Sequence, residues 1–282
     1  MKTIDLHTHS NCSDGSMTPT ELVAHAASRG VSAIALSDHD TVAGIDEAIK
    51  AGEKYGVEIV PAIEFSVQSA TETHILGFYI DHKSDILKQA LERINAVRWQ
   101  RTVNTCKNLQ ALGFDVTMEE ALAIAPSGLI GRAHFARILM EKGYVASVKE
   151  GFDKYLANGR PAYDGTQALT AKEAVELINS IGGVAFVAHP HLIRLEDNEL
   201  RSFLSELKTV GLCGIEGYYN EYTTEMQDYF RSLANELGLQ ICGGTDFHAK
   251  MKPHIEIGVG QGNMLVPYSV LENIKSIVAA KR

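Results

Sequence analysis

Metal-ligating side chains are concentrated near the start of the chain. His7, His9 and Asp14 fall within eight residues, at the end of an apolar segment and in the Ser/Gly-rich loop that follows it. Because alternate side chains of an extended chain point to the same side, His7 and His9 can share one ion. Imidazole and carboxylate groups suit divalent metals such as Zn, Mn or Fe. These residues therefore predict the rim of a metal site.

The same residue types recur where later apolar runs begin or end. The six further candidates are His39 in LSDHD, Glu64 in PAIEF, His74 in ETHILGF, His189 in VAHPH, and Asp246 and His248 in GGTDFH. A single histidine at a strand end is more often a hydrogen-bonded core or surface residue. Independent placement of six histidines and three carboxylates at strand ends is improbable, so we expect a polynuclear metal site. We expect structural or surface roles for His25, His82, His191 and His254.

The elements that must position these residues follow a regular order. Seven short apolar runs predict strands at Thr3–Leu6, Ala33–Leu36, Glu58–Ile63, His74–Tyr79, Val184–Val187, Gly214–Tyr218 and Gln240–Gly243. Helical patterns that end near glycine separate several of them, at Thr20–Arg29, Asp46–Tyr55, Leu169–Ser180, Asn198–Val210 and Glu225–Leu237. This order is typical of a parallel α/β fold. In a closed parallel barrel the carboxyl ends of the strands meet on one face, which holds the active site.

The order is interrupted in the middle of the chain. Residues 95–166 carry helical patterns and no convincing strand, and the helices are predicted at Asn95–Leu112, Met118–Ala125, Arg132–Lys142 and Ser147–Leu156. We therefore expect a discontinuous metal-binding barrel, residues 1–94 and 167–282, with a helical insertion at 95–166 that selects the substrate.

Composition narrows the possible functions. The net charge of −9 argues against a protein that coats long nucleic acid, which usually presents a basic face. There is no run of about 18 apolar residues that would predict a membrane span. The four cysteines are widely spaced, and the N-terminal residues lack the hydrophobic segment of a signal peptide. We therefore expect a cytoplasmic protein.

Several motifs together resemble those of the PHP (polymerase and histidinol phosphatase) family of metal-dependent phosphoesterases. They are DLHTHSNCSDG, LSDHD, PAIEFS, HILGF, AHP and GGTDFH, and they occur in the family's order. The insertion sequence GLIGRAHFAR is similar to the GRxHxAR element of a group of nucleotide phosphatases and short-RNA exonucleases within the family. The resemblance implies a distorted seven-stranded (β/α) barrel, similar to a TIM barrel, with three divalent metal ions.

The resemblance also implies how the nine candidates divide among the ions. One ion would be held by His7, His9, Glu64 and Asp246, the second by Glu64, His74 and His189, and the third by Asp14, His39 and His248. Catalysis would proceed through the bound metals and a bridging hydroxide, and the catalytic residues would be His7, His9, Glu64, His189, Asp246 and His248. A metal pair suits phosphoryl transfer because it activates water and clamps phosphate oxygens.

Candidate substrate-binding residues lie in the insertion. Arg132 and His134 open a predicted helix, whose N-terminus already favours anions, and Arg132 would add a fork of donors. Arg101 and Asn104 share a face of the preceding helix, and Ser127 lies in the loop between helices. All five could instead be solvated surface groups. For Trp99 we expect a core position rather than stacking on a base.

Two anion-binding regions suggest a substrate that carries two phosphates. The resemblance implies removal of the 3'-phosphate from a nucleoside 3',5'-bisphosphate, and trimming of short 5'-phosphorylated RNA from its 5' end. The alternatives are a histidinol-phosphate phosphatase or other small phosphomonoesterase, a metal-dependent amidohydrolase, and a PHP module without catalysis. An amidohydrolase commonly bridges its metals with a modified lysine at a strand end, where this chain has Glu64.

Overall fold

A computed structural model describes residues 2–125 and 130–281 of the chain. Within them, one sheet holds eight strands in the order β7-β6-β5-β4-β3-β2-β1-β8. The strands are β1 Thr3–Thr8, β2 Val31–Leu36, β3 Glu58–Ser66, β4 His74–Phe78, β5 Val184–Val187, β6 Leu212–Tyr219, β7 Gln240–Gly244 and β8 Val266–Pro267. The predicted α/β barrel is confirmed. The strand number differs by the two-residue β8, which was too short to predict.

The sheet curls into a nearly closed barrel because β7 returns to β1. The two are joined by a short parallel bridge between Thr8 and Phe247. A Cβ atom on Gly244 would lie 2.3 Å from the backbone nitrogen of His7, so this approach requires glycine. The carboxylate of Asp5 adds a tie, because it accepts hydrogen bonds from the Thr245 amide at 2.9 Å and the Gly258 amide at 2.8 Å.

One strand departs from the expected parallel order. β4 runs antiparallel to both β3 and β5. The reason lies in the connection of seven residues between Ser66 and His74, since parallel neighbours need a crossover of about a dozen residues. Reversal of β4 places its first residue, His74, on the face where the parallel strands end.

Ten α-helices are present in the described residues: α1 Pro19–Ser28, α2 Ile45–Tyr55, α3 Asp85–Ala111, α4 Met118–Ile124, α5 Arg132–Glu141, α6 Val148–Gly151, α7 Ala171–Ser180, α8 Asp197–Thr209, α9 Thr224–Glu236 and α10 Tyr268–Lys281. A capping box at Thr18 and Glu21 begins α1, one residue before the predicted start at Thr20. Helix α10 was not predicted. It packs on the same apolar cluster as Ile4 and Leu6 of β1.

The helical insertion has a core of its own. Buried residues from Cys106 to Ala162, including Leu109, Phe135 and Leu139, form a cluster separate from the two clusters around the barrel. Helix α3 begins at Asp85, ten residues before the predicted start at Asn95, so it runs through the predicted boundary at residues 94 and 95. The division of the chain into two domains stays a prediction. Trp99 is 46% exposed, so the expected core position was wrong.

Over the parts of the chain that the structure describes, we found no helix with the length and hydrophobicity needed to cross a membrane.

Candidate metal centre

The structure brings all nine predicted metal-ligating residues together on one face of the barrel. Their side chains are at most 17% exposed. His7 and His9 come from the end of β1, and Asp14 from the loop after it. His39 follows β2, Glu64 lies near the end of β3, and His74 begins β4. The remaining three, His189, Asp246 and His248, follow β5 and β7.

Donor atoms of these residues lie within 4.8 Å of one another in three overlapping groups. The groups are His9, Asp14, His39 and His248; His7, His9 and Asp246; and His39, Glu64 and His74. The Nε2 atom of His189 joins them through Glu64, whose Oε1 atom is 3.1 Å away. Glu64 is the central group, since its Oε2 atom also lies 3.1 Å from His7 Nε2 and 3.3 Å from His9 Nε2.

Several buried polar atoms of the cluster have no hydrogen-bonding partner among the described residues. They include Nε2 of His7, both ring nitrogens of His9, and Oε2 of Glu64. Leaving such groups unsatisfied in the interior costs free energy. A divalent ion would satisfy them, because neutral imidazole and carboxylate are its usual ligands. These residues therefore fit a metal site.

Electrostatics favours a cation at the same place. Burial lowers the pKa of His9, but Asp246 and Glu64 outweigh it and raise the pKa to about 9. Burial raises the pKa of Glu64, yet the surrounding histidines hold it well below its ordinary value. Glu64 and Asp246 thus keep their charge and favour a proton on His9, whereas burial lowers the pKa of His39 and His248. A metal ion would compete for these positions, since a ligating histidine must be neutral.

Hydrogen bonds to Glu216 and to a backbone carbonyl orient two of the imidazoles. Glu216, fully buried in β6, accepts a hydrogen bond from His7 Nδ1 at 3.0 Å and from the backbone amide of His189 at 2.6 Å. His248 Nδ1 donates to the carbonyl oxygen of Asp246 at 2.8 Å. In His7 and His248, the contact leaves Nε2 of the ring free to face the cluster, as in many metal sites.

Asp246 is held from its other side. Its Oδ2 atom accepts hydrogen bonds from Tyr219 at 2.8 Å and from Lys252 at 2.6 Å, while Oδ1 faces His7 and His9. Asp246 and His189 both have positive φ angles, 54° and 28°. Such backbone strain is common at functional sites, where the surroundings hold it in place.

The loop that carries Asp14 is fixed by Asp38. The Asp38 carboxylate accepts hydrogen bonds from the amide and hydroxyl of Ser10, at 2.8 and 2.6 Å, and from the hydroxyl of Ser13 at 2.6 Å. A Cβ atom on Gly15 would lie 2.5 Å from the carbonyl oxygen of His9, so the return of the loop needs glycine.

A cleft of about 610 Å³ opens between the cluster and the insertion. Seven of the nine candidates line it, whereas His7 and His9 lie beneath its floor. Its wall carries Arg98, Arg101 and Arg132 from the insertion, together with the apolar side chains of Met140, Val148 and Phe152. Burial, together with the smaller effect of the Arg98 charge, lowers the pKa of Arg101 to about 10. The cleft therefore combines a metal-ligating floor with a cationic wall.

The predicted substrate residues occupy different places. Arg132 lines the cleft, with its guanidinium 5.4 Å from the ring centre of Tyr163, and Arg101 lines it too. His134 is buried, and its Nδ1 atom accepts a hydrogen bond from the Gly131 amide at 3.0 Å, which caps α5. Asn104 donates to Asp164 at 2.7 Å and is not among the cleft-lining residues. Ser127 lies outside the described residues.

Three further residues of the site were not predicted. Arg98 is buried and pairs with Asp40 at 2.8 Å, which joins the insertion to the loop after β2. It follows Ile94 by four residues, so its place on the buried face of α3 could have been read from helical spacing. The sequence signal for Glu216 was a single carboxylate within the predicted apolar strand Gly214–Tyr218. No feature of the sequence pointed to Lys252. His254, expected to be structural or at the surface, lines the cleft.

Comparison with known proteins identifies the family. Residues 5–243 match the PHP domain. The chain belongs to the PHP family. A Haemophilus influenzae protein named 5'-3' exoribonuclease is 34% identical over 248 residues, 88% of this chain and 90% of the relative. A Chromobacterium violaceum protein named 3',5'-nucleoside bisphosphate phosphatase is 33% identical over 260 residues, 92% of this chain and 91% of the relative.

Solved structures agree with this membership. A Chromobacterium violaceum protein described as an amidohydrolase, with bound sulfate and no metal, has a TM-score of 0.88 and 31% identity, over 99% of this chain and 96% of its own. A proposed metal-dependent phosphoesterase from Bifidobacterium adolescentis has a TM-score of 0.86 and 27% identity, over 98% and 96%. Together with the geometry of the site and the sequence relatives, these structures place this member of the PHP family among the metal-dependent phosphoesterases.

Proposed function

We propose that the protein removes the 3'-phosphate of nucleoside 3',5'-bisphosphates and trims short 5'-phosphorylated RNA from its 5' end. The observation that carries the proposal is the cleft, in which a metal-ligating floor faces a wall of arginines. The floor suits the phosphate that is cut, and the wall suits a second phosphate on the same nucleotide. The names of the relatives from Haemophilus influenzae and Chromobacterium violaceum support both activities.

We further propose three divalent ions, Mn, Zn or Fe, held by the nine residues of the cluster. Bound ions would lower the pKa of water and neutralise charge on the phosphate oxygens. Glu64 lies within reach of several histidines, which suits a shared ligand. Glu216 holds His7 with Nε2 toward the cluster. The cytoplasmic location stays a prediction.

The chain's own residues would select the nucleotide. Arg132 and Arg101 are proposed to hold the 5'-phosphate, because their guanidinium groups line the cleft opposite the cluster. His134 would position Arg132 by capping the same helix. Asn104 would act more weakly, through Asp164. The apolar side chains of the wall offer a surface for a base without hydrogen-bonding groups that would distinguish one base from another.

Product analysis tests the proposal. Protein loaded with Mn²⁺ should convert a nucleoside 3',5'-bisphosphate to the 5'-monophosphate, with much slower turnover of histidinol phosphate. Short RNA with a 5'-phosphate should release nucleoside 5'-monophosphates far faster than the same RNA with a 5'-hydroxyl. Equal rates on the two RNAs, or internal cleavage of a circular RNA, would contradict the role of the cationic wall.

A further inference from the structure

A second, smaller cleft of about 270 Å³ adjoins the metal cleft. The two share Glu72, His74 and Arg132 among their lining residues. His74 is also a candidate ligand, with Nδ1 2.8 Å from Glu64. The second cleft therefore begins at the metal cluster and leads away from it, between the barrel and the insertion.

Arginines line this second cleft from both sides. Arg132 and Arg160 belong to the insertion, and Arg194 follows β5 of the barrel. Among the described residues, none of the three has a carboxylate oxygen within 4.0 Å. The cleft also contains Glu72 and Asp153, but Asp153 is paired with Lys149 at 2.6 Å. The balance of charge in the cleft is positive.

Several arginines elsewhere on the protein are already paired with carboxylates. Arg137 pairs with Glu141 at 2.6 Å, and Arg201 pairs with both Asp197 and Glu236, at 2.8 and 2.6 Å. In an acidic protein with a net charge of −9, an arginine without a carboxylate partner is a ready site for an external anion. The three arginines of the second cleft are arranged along a passage that opens from the cluster.

The chemistry of trimming defines what must occupy such a passage. Water adds to phosphorus, the bond to the 3'-oxygen of the first nucleotide breaks, and that oxygen takes a proton. The first nucleotide leaves with a 3'-hydroxyl, and the phosphate remains on the shortened strand as its new 5'-phosphate. The strand beyond the first nucleotide is therefore attached to the phosphate at the cluster and needs its own path out of the metal cleft, and the second cleft provides one that begins between His74 and Arg132.

We propose that the second cleft binds the phosphate backbone of RNA downstream of the bond that is cut, with Arg160 and Arg194 as its contacts. This inference rests on the proposed function and adds a subsite that a bisphosphate does not reach. Asn158 helps to define the passage, because its amide donates to the carbonyl oxygen of Ala70 across the two walls. The cleft is short, so the benefit of a longer strand should stop rising once the strand extends beyond it.

The test compares substrates of different length in the Mn²⁺-loaded full chain. Substitution of both arginines, Arg160→Ala with Arg194→Ala, should lower kcat/KM for a 5'-phosphorylated oligoribonucleotide by about 100-fold or more, since it removes two sets of charge-assisted hydrogen bonds to the backbone. The same variant should process a nucleoside 3',5'-bisphosphate at the rate of the unmodified protein. The salt dependence of log kcat/KM on the oligonucleotide should flatten by about 0.7 for each phosphate that the variant no longer binds.

A matched control removes the same charge elsewhere. Lys107→Ala with Arg231→Ala changes two exposed cations that line neither cleft, and it should leave both substrates unaffected. An equal loss on bisphosphate and oligonucleotide, or no loss on either, would overturn the subsite. If the unmodified protein turns over neither substrate, the proposed function itself fails, and that outcome is distinct from both.

Discussion

The barrel face and the insertion wall hold their functional side chains in different ways. On the barrel face, each candidate ligand stands on or just beyond a strand, is largely buried and touches other candidates. On the insertion wall, Arg132 lies over the rings of Tyr163 and Phe152 and has no carboxylate partner among the described residues. Metal ligation needs several donors held together in one geometry, whereas each arginine of the wall adds its own charge-assisted hydrogen bonds to a phosphate. Substitutions should therefore have larger effects on the barrel face.

The largest effect is expected from Asp246→Ala. The substitution removes a carboxylate that faces His7 and His9, and it leaves the Lys252 cation beside the cluster without the carboxylate oxygen that lies 2.6 Å away. Activity should fall by more than about 100-fold, since loss of an outer partner alone costs 10–100-fold. His7→Ala should behave in the same way. Metal content and phosphate release measure the loss, and circular dichroism checks that the fold remains.

Surface histidines provide the control for this prediction. His82→Ala removes an imidazole that pairs with Asp46 at the surface, 2.9 Å away, and should keep full activity. Full activity in metal-free, chelator-treated protein would show that the nine residues do not act through metal.

The next largest effect is expected at the ion pair that joins the insertion to the barrel. Arg98 and Asp40 form an ion pair whose side chains are 7% and 2% exposed. Arg98→Ala leaves a buried carboxylate without its partner and should lower the free energy of unfolding by about 3–5 kcal/mol. Urea denaturation measures this change in the free energy of unfolding. Arg201→Ala, which breaks surface pairs, should cost about 1 kcal/mol or less. Similar losses for the two variants would mean that water reaches the Arg98 pair.

The same contrast explains what the sequence could predict. Residues at strand ends could be assigned from local motifs, because barrel topology brings all strand ends to one face. Residues on helices depend on how the helix is rotated against its neighbours. Asn104 and Arg101 are three apart on α3, yet Arg101 lines the cleft and Asn104 turns to Asp164. Only the packing of α3 decides between them.

The lengths of the connections between strands carry information about strand direction that the pattern of apolar runs does not. The short segment between β3 and β4 already excluded a parallel crossover, so the reversal of β4 was predictable. Lys252 was not, because its contact with Asp246 depends on the path of the irregular loop after β7. Contacts made within irregular loops lack a periodic signal in the sequence.

A smaller effect, confined to one class of substrate, is expected from Arg132→Ala. Removal of one charge-assisted hydrogen bond to the 5'-phosphate should raise the barrier for a nucleoside 3',5'-bisphosphate by about 1.5–3 kcal/mol. A simple aryl phosphate, which has no second phosphate, should be affected far less. The ratio of kcat/KM values for the two substrates measures the difference. Arg137→Ala is the matched control, since Arg137 lies on the same helix and pairs with Glu141. Equal losses on both substrates would make Arg132 a structural residue.

The smallest effect is expected from Asn104→Ala. This substitution tests whether the substrate-binding surface of the insertion includes Asn104. The Asn104 amide donates to Asp164 at 2.7 Å, and its oxygen accepts a hydrogen bond from Gln100 at 3.0 Å. The substitution should therefore change the ratio of bisphosphate to aryl phosphate turnover by less than about 1 kcal/mol, below the value for Arg132→Ala, because it removes neutral support and not a phosphate contact. Arg101→Ala, one turn away on the cleft side of α3, should change the ratio more. If Asn104→Ala instead changes this ratio as much as Arg132→Ala, substrate binding must turn Asn104 from Asp164 into the cleft. The position of side chains on the insertion wall would then matter as much as it does on the barrel face.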